Sequence, residues 1–260
     1  MIPSEGAKDW DPGAYARFRG LRLRPALDLI LQVDSPPRGD IVDLGCGDGA
    51  AAATLRTRFP KRRIVGVDAS AAMLALARGY HATMQADIAA WRPDSPPALI
   101  FSNAALHWLP DHATLLPRLA RLLSPGGMLA VQMPRQFAAP SHALLRKITA
   151  TLFPGKCDLA AWQPPVAPPQ DYHRMLAPLG QVSVWETEYL QRLEPVSQGH
   201  PVRAFTESTA MRPFVEGLAP DQKAAFVAAY DAALALAYPA EPDGSVLFPF
   251  RRLFFTLQPG

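Results

Sequence analysis

The chain has 260 residues, of which 49% are hydrophobic and 19% are charged, a composition typical of a globular protein whose core needs no disulfide or metal for stability. Its net charge of +3 is small and its basic residues are scattered, with no run longer than Lys61-Arg62-Arg63, so no nucleic-acid partner is expected. The two cysteines, Cys46 and Cys157, form no disulfide framework and favour a reducing, cytoplasmic location.

No targeting or membrane-spanning segment is expected. Residues 1–11 contain no apolar stretch behind a basic start, as a signal peptide would. The most apolar region, residues 224–238, is interrupted by Asp231 and is shorter than the ~20 residues of a membrane span. The four-residue spacing of Phe226, Tyr230 and Leu234 instead predicts an amphipathic helix.

The first half of the chain alternates short apolar runs with runs of helical periodicity. Ser70 precedes one of the helical runs and can cap it. Such alternation predicts an α/β fold, a doubly wound and mostly parallel sheet with helices on both faces. We predict strands at 40–44, 63–68, 82–87, 98–102 and 128–133, and helices at 21–31, 50–59, 71–78 and 115–123.

Beyond Pro134 the periodicity is weaker. We predict strands at 182–189 and 253–257, and helices at 142–153, 202–211 and 221–238. The two strands would return to complete a seven-stranded, Rossmann-like sheet, and the helices would cap the active site. The predicted division is therefore 1–133, an N-terminal cap helix with the cofactor-binding core, and 134–260, a helical cap and substrate-binding region.

The strongest functional signal is a glycine-rich loop between a strand and a helix. It reads Asp43-Leu44-Gly45-Cys46-Gly47-Asp48-Gly49, and its glycines let the backbone turn tightly and approach a ligand. Asp68 ends the next strand, where a carboxylate can accept hydrogen bonds from ribose hydroxyls. This arrangement predicts a site for a nucleoside-containing cofactor.

Two cofactors fit such a loop. Gly45-x-Gly47-x-x-Ala50 satisfies the dinucleotide fingerprint, whereas the whole stretch fits the D-x-G-x-G-x-G loop of S-adenosylmethionine (SAM) methyltransferases. Asp43 favours SAM, because a carboxylate suits the cationic ammonium and sulfonium of SAM and would repel a pyrophosphate. Cys46 is interpreted as a small packed residue rather than a nucleophile.

Residues after the third and fourth strands support the same interpretation. Asp87-Ile88 is placed to meet an adenine amino group and cover its ring, and Trp91 offers a stacking wall. Because ligands of open α/β sheets bind beyond the carboxyl ends of the strands, the loop from Ser102 to Pro110 should face the reacting methyl group, with Asn103 toward the cofactor and His107 and Trp108 toward the acceptor. Alternatively, Trp108 is a core residue and His107 an exposed loop residue. The predicted cofactor-binding residues are Asp43, Gly45, Cys46, Gly47, Asp68, Ala69, Asp87, Ile88 and Asn103.

Short motifs of a recognisable pattern are spread along the chain from end to end. They are Trp10-Asp11-Pro12-x-x-Tyr15-x-x-Phe18, Arg22-x-Arg24-Pro25-Ala26, the glycine loop, Asp68-x-Ser70-x-x-Met73, Ala86-Asp87-Ile88, Trp108-Leu109-Pro110-Asp111-His112, Ala130-Val131-Gln132-Met133-Pro134, Met211-Arg212-Pro213-Phe214 and Phe250-Arg251-Arg252-Leu253-Phe254. In these motifs, and so over nearly its whole length, the chain resembles the trans-aconitate 2-methyltransferases, a family of class I SAM-dependent methyltransferases.

The resemblance implies methyl transfer from SAM to a carboxylate of a small polycarboxylic acid, with S-adenosylhomocysteine as the second product. A carboxylate is ionised at neutral pH, so orientation and desolvation replace a general base; His107 is the one candidate for a catalytic role, and no metal is expected. Arginines and hydroxyls would anchor the other carboxylates. The candidate acceptor-binding residues are Tyr15, Arg22, Arg24, His107, Trp108, Tyr189, Arg212 and Arg252.

Three departures from the family pattern lie around the expected acceptor pocket. They are Leu21 in place of Glu, Arg135-Gln136-Phe137 in place of an acidic or amide residue followed by Asn, and Tyr189-Leu190-Gln191 in place of a Tyr-Tyr-His-like run. They leave open an enzyme with the same cofactor and another acceptor, such as a specialised metabolite, a carrier-bound carboxylate or SAM itself. A nicotinamide-dependent oxidoreductase and a non-catalytic SAM-binding module are further alternatives, and the sequence does not indicate an oligomeric state.

Overall fold

The computed structural model describes residues 19–156 and 162–260, and for residues 19–22 it describes the backbone alone. The N-terminal motif with Tyr15, the side chain of Arg22, and Cys157 lie outside the described residues.

The chain forms two compact units. The first, which we call the sheet unit, contains the described residues up to Pro134 together with Pro165–Thr187 and Arg252–Gly260. The second, which we call the helical unit, contains Arg135–Pro164 and Glu188–Arg251.

Within the described part of the chain, seven strands form one sheet in the order β3-β2-β1-β4-β5-β7-β6. The first five strands pair in parallel, whereas β7 runs antiparallel to β5. The order reverses between β1 and β4, which makes the carboxyl ends of these two strands the switch point where open α/β sheets bind ligands. The strands are β1 (Ile41–Leu44), β2 (Ile64–Asp68), β3 (Ala82–Gln85), β4 (Leu99–Asn103), β5 (Met128–Pro134), β6 (Gly180–Leu193) and β7 (Val246–Pro259).

The predicted Rossmann-like sheet is confirmed, including the two strands that return to complete it. Ile41, Leu44, Leu99, Ile100 and Phe101 are fully buried, as central parallel strands covered on both faces require. Each such side chain stabilises the fold by about 1.5–3 kcal/mol through its burial.

The helices of the sheet unit follow local signals, with one exception. They are α1 (Arg19–Leu31), α2 (Ala52–Arg58), α3 (Ala71–Leu76), α4 (His112–Ala120) and α6 (Pro169–Leu176). The predicted cap is confirmed, since the Ser70 hydroxyl accepts a hydrogen bond from Met73 N at 3.2 Å. Helix α4 begins earlier than predicted because Asp111 caps it through Thr114 N. Helix α6 was not predicted, because its first residue, Pro169, closes a proline-rich run that masked a favourable helix start.

The helical unit contains α5 (Pro140–Leu152), α7 (Pro201–Glu207), α8 (Arg212–Val215) and α9 (Pro220–Ala237). Phe226, Tyr230 and Leu234 are fully buried along one side of α9, which confirms the predicted amphipathic helix. The Tyr230 hydroxyl donates to Ser141 O at 2.7 Å and so fastens α9 to α5. Among the helices of the described ranges, none has both the length and the apolar character needed to cross a membrane.

Candidate functional site

The glycine loop leaves β1 at the switch point in a conformation that requires glycine. Gly45 and Gly47 have φ angles of 83° and 54°, in the left-handed region that other residues rarely adopt. A Cβ on Gly45 would lie 2.1 Å from the Ala105 Cβ, so a side chain there would displace the segment after β4. The segment after β4 therefore packs directly against the glycine loop, and only glycine at position 45 allows this close approach.

Asp68, at the end of β2, holds the loop in place. Its Oδ2 accepts from Gly47 N at 2.8 Å, and its Oδ1 accepts from Ser70 N at 2.9 Å. Each carboxylate oxygen can accept a second hydrogen bond, so the predicted contact with ribose hydroxyls is compatible with this role. Ala69 beside it is exposed and accepts from Gln85 through its backbone oxygen.

Asp43 is buried at the end of β1, with 2% of its surface exposed. Its Oδ2 accepts a hydrogen bond from the Tyr80 hydroxyl at 2.5 Å. Burial raises the pKa of Asp43 from 3.8 to about 7, although the Tyr80 hydrogen bond opposes the shift. Sequence reasoning did not identify Tyr80. The predicted contact between Asp43 and a cationic cofactor stays a prediction.

Cys46 is 6% exposed, and burial raises the pKa of its thiol well above the usual range. A protonated, buried thiol is a poor nucleophile. This environment agrees with the interpretation of Cys46 as a packed residue.

The segment after β3 contains the residues predicted to receive adenine. Because β3 ends at Gln85, Asp87 lies two residues beyond the strand rather than at its end. Its side chain is exposed, and its Oδ1 accepts from Ala89 N at 2.9 Å. Ile88 and Trp91 are buried, and the Trp91 Nε1 donor has no hydrogen-bond partner within the described ranges.

Arg118 of α4 fixes the position of this segment, and sequence reasoning missed it. Its guanidinium donates to Ile88 O at 2.5 Å and to Trp91 O at 2.8 Å. Arginine presents several donors in a rigid plane, so one side chain can hold two carbonyls 3 residues apart. Nothing in the spacing of the sequence indicates this contact.

Asn103 ends β4 beside the glycine loop. It is half-buried, and its Oδ1 is buried without a hydrogen-bond partner in the described part of the chain. Ala104, which follows it, has a φ of 54°, a strained conformation that clusters at functional sites. An acceptor atom at the switch point is therefore free for a ligand.

The helical turn Leu106–Trp108 follows directly. The His107 and Trp108 rings lie 4.7 Å apart, and Trp108 is 49% exposed, so the alternative that it is a core residue is wrong. The turn is held by His112, whose Nε2 contacts Leu106 O at 3.0 Å and whose Nδ1 contacts the Tyr172 hydroxyl at 2.6 Å. Burial lowers the pKa of His112, which favours the neutral ring.

The structure separates the candidate arginines. Arg24 has a side chain that is 67% exposed and forms an ion pair with Asp28 at 3.0 Å, whereas Arg252 is 4% exposed in β7, in register with Pro134 of β5. Tyr189 and Arg212 are half-buried and belong to the helical unit. Of these four residues, only Arg252 is both buried and part of the sheet unit.

Comparison with known proteins agrees with this geometry. A family model described as a methyltransferase domain matches residues 15–176. The trans-aconitate 2-methyltransferase of Azoarcus sp. (strain BH72) is 44% identical over 253 residues, which cover 95% of this chain and 98% of that protein. The protein of the same name from Methylobacterium nodulans is 44% identical over 255 residues, covering 95% and 97%.

Solved structures share the fold at low sequence identity. The YcgJ protein of Bacillus subtilis has a TM-score of 0.54 and 16% identity, covering 91% of this chain and 99% of its own. Phosphoethanolamine N-methyltransferase 2 of Haemonchus contortus, in complex with S-adenosyl-L-methionine, has a TM-score of 0.56 and 16% identity, covering 95% of this chain and 56% of its own.

Proposed function

This chain belongs to the family of the trans-aconitate 2-methyltransferases, and we propose that it transfers a methyl group from SAM to a carboxylate of a small polycarboxylic acid, with trans-aconitate as the first acceptor to test. The observation that carries the proposal is the 44% identity to relatives of that name over 95% of the chain. Small-molecule methyl transfer also fits the site, because the groups that converge at the switch point are backbone amides, a carboxylate and an amide side chain.

The residues at the switch point suit SAM. Gly45 and Gly47 give the loop its tight turn at the end of β1, Asp68 can accept from ribose hydroxyls, and the unpartnered Asn103 Oδ1 can accept from an ammonium group. The buried Asp43 carboxyl favours a cationic ligand over a dinucleotide, since its ionised form would repel a pyrophosphate. The other predicted cofactor contacts, at Cys46, Ala69, Asp87 and Ile88, stay part of the proposal.

When bound, SAM supplies an electrophilic methyl group, whose bond to sulfur breaks with its electron pair going to sulfur while an oxygen of the acceptor carboxylate forms the ester bond. The chain itself needs no general base, because the attacking carboxylate is already ionised near neutral pH. Its residues bind the acceptor, remove water from it and hold it in line with the methyl group, and such orientation contributes up to about 7–11 kcal/mol.

Arginines are the proposed anchors for the carboxylates that do not react, because the guanidinium matches a carboxylate bidentately. Arg252 is the strongest of the candidates, since it is buried within β7. Residues 134–260 are proposed to supply most of the acceptor-binding side of the site. The reaction is proposed to take place in the cytoplasm. The other proposed contacts are Tyr15, Arg22, Arg24, His107, Trp108, Tyr189 and Arg212.

Mass spectrometry of reactions with SAM tests the proposal. Trans-aconitate, cis-aconitate, citrate and isocitrate are compared as acceptors, and a monomethyl ester is expected with trans-aconitate. Stabilisation by S-adenosylhomocysteine without any ester would indicate the same cofactor with another acceptor. Stabilisation by NAD but not by S-adenosylhomocysteine would contradict the proposal altogether.

A further inference from the structure

One row of side chains crosses the sheet at the carboxyl ends of β4 and β5. Asn103 of β4 is in register with Gln132 of β5, and Gln132 is in register with Phe254 of β7. Residues in register on neighbouring strands project to the same face of a sheet. The three side chains therefore lie side by side on one face.

Gln132 is the unusual member of this row. It is fully buried, yet neither its Oε1 nor its Nε2 has a hydrogen-bond partner anywhere in the described ranges. Leaving a buried amide without hydrogen bonds destabilises the folded state, and native proteins seldom retain such groups. A residue that violates this rule in an otherwise apolar strand is expected at a functional site, where a ligand completes its hydrogen bonds.

The neighbours of Gln132 indicate the class of ligand. On one side is the unpartnered Asn103 Oδ1. On the other side the Phe254 ring stacks on Trp185, with centroids 5.1 Å apart and planes 8° apart. Arg252 lies two residues from Phe254 on the same face of β7 and is 4% exposed. An amide donor, a guanidinium and flat aromatic rings together suit a flat acid with more than one carboxylate.

The position within the sheet separates the acceptor from the cofactor. β4 lies between β1 and β5, and neighbouring strands are about 4.8 Å apart, so Gln132 is two strands from the glycine loop whereas Asn103 is one strand from it. Asn103 is thus placed for the cofactor, and Gln132 is placed on its far side, toward Arg252.

We propose that Gln132 is an acceptor-binding residue whose Nε2 donates to a carboxylate of the substrate, next to the guanidinium of Arg252. The Gln132 amide would bind the substrate carboxylate by a hydrogen bond without adding a second positive charge to that of Arg252. It therefore orients the acceptor but neutralises the negative charge of the acceptor less than a second arginine would. The inference rests on the proposed function for the identity of the acceptor, but it is tested by binding as well as by turnover.

The test compares Gln132→Leu with the wild type by calorimetry. We expect S-adenosylhomocysteine to bind the two proteins with Kd values within twofold, whereas the complex of the variant with S-adenosylhomocysteine should bind trans-aconitate at least tenfold more weakly. The melting temperature of the ligand-free variant should be unchanged or higher, because leucine removes an unsatisfied buried amide. Where the ester forms, kcat/KM for the acceptor should fall at least tenfold.

Gln258→Leu serves as the matched control, because Gln258 is exposed at the C-terminal end of β7. This variant should bind both ligands like the wild type. Equal acceptor binding by Gln132→Leu and the wild type would overturn the inference. An equal loss of S-adenosylhomocysteine binding would also overturn it and assign Gln132 to the cofactor.

The two proposals fail in different ways. A wild type that binds trans-aconitate without methylating it would contradict the proposed function, while the binding of the variant would still decide the role of Gln132. A wild type that binds none of trans-aconitate, cis-aconitate, citrate and isocitrate would overturn the role of Gln132 as well.

Discussion

The Tyr80 hydroxyl donates a hydrogen bond of 2.5 Å to the Asp43 Oδ2, and so joins the end of β1 to the segment that precedes β3. The two residues are 37 positions apart in the chain. This bond favours the ionised form of Asp43, whereas burial and the nearby Asp68 raise its pKa.

Tyr80→Phe removes that donor and leaves the ring. We expect the pKa of Asp43 to rise above about 7, and the free energy of unfolding to fall by about 1–3 kcal/mol near pH 8, where a charged acceptor loses its partner. The loss should be smaller at pH 5, where the carboxyl is protonated. Urea denaturation at the two pH values measures the difference, and equal losses at both would show that the bond does not stabilise the charge.

Asp43 also makes stability depend on pH. Its pKa is raised from 3.8 in the unfolded reference to about 7 in the folded chain, so the folded state binds the proton more tightly. Its stabilising contribution is therefore complete below about pH 4 and is lost as pH rises through about 7, by an amount on the order of 4 kcal/mol.

Asp43→Asn should abolish that part of the pH dependence, because asparagine keeps the shape and an oxygen acceptor for Tyr80 but does not titrate. Chemical denaturation between pH 4 and pH 8 measures the slope for both proteins. Asp40→Asn is the control, since Asp40 is part of an ion pair with Arg63 outside the loop. A slope that persists unchanged in Asp43→Asn would assign the dependence to other groups.

Asp68 is expected to be the most sensitive position for cofactor affinity. Asp68→Ala removes the acceptors for both Gly47 N and Ser70 N as well as the proposed ribose contact. We expect the Kd for S-adenosylhomocysteine to rise 30-fold or more, which corresponds to about 2 kcal/mol. Isothermal titration calorimetry measures it. The prediction fails if the variant remains folded and binds within threefold of the wild type.

Local signals account for the parts that were predicted correctly from the sequence. The roles of Gly45 and Ser70 are local: Gly45 adopts a φ angle of 83° in a tight turn, and the Ser70 hydroxyl caps the helix that follows it. The neighbouring residues in the sequence are therefore enough to predict these roles. Tyr80 and Arg118 act across 37 and up to 30 positions, and only the folded sheet brings their partners close. Gln132 lies in a buried strand whose apolar neighbours gave no sign of an unsatisfied amide.

Arg118 should affect cofactor binding through the segment that it holds. Arg118→Met keeps an unbranched apolar stem but loses both hydrogen bonds to Ile88 O and Trp91 O. We expect about a tenfold higher Kd for S-adenosylhomocysteine and a KM for the acceptor within twofold. Arg121→Met, at the exposed end of the same helix, should change neither quantity. A parallel rise in both would indicate a general loss of structure instead.

Tyr172 should affect turnover rather than cofactor affinity. Because burial lowers the pKa of His112, its ring is neutral near pH 7; its Nε2 donates to Leu106 O, and its Nδ1 accepts from the Tyr172 hydroxyl. Tyr172→Phe frees Nδ1, so the tautomer that holds the turn Leu106–Trp108 is no longer fixed. We expect kcat to fall about three- to tenfold while the Kd for S-adenosylhomocysteine stays within twofold.

Thr149→Val, which removes a buried hydroxyl within the helical unit, is the control and should leave kcat unchanged. An unaltered kcat in Tyr172→Phe would show that the turn keeps its position without this bond.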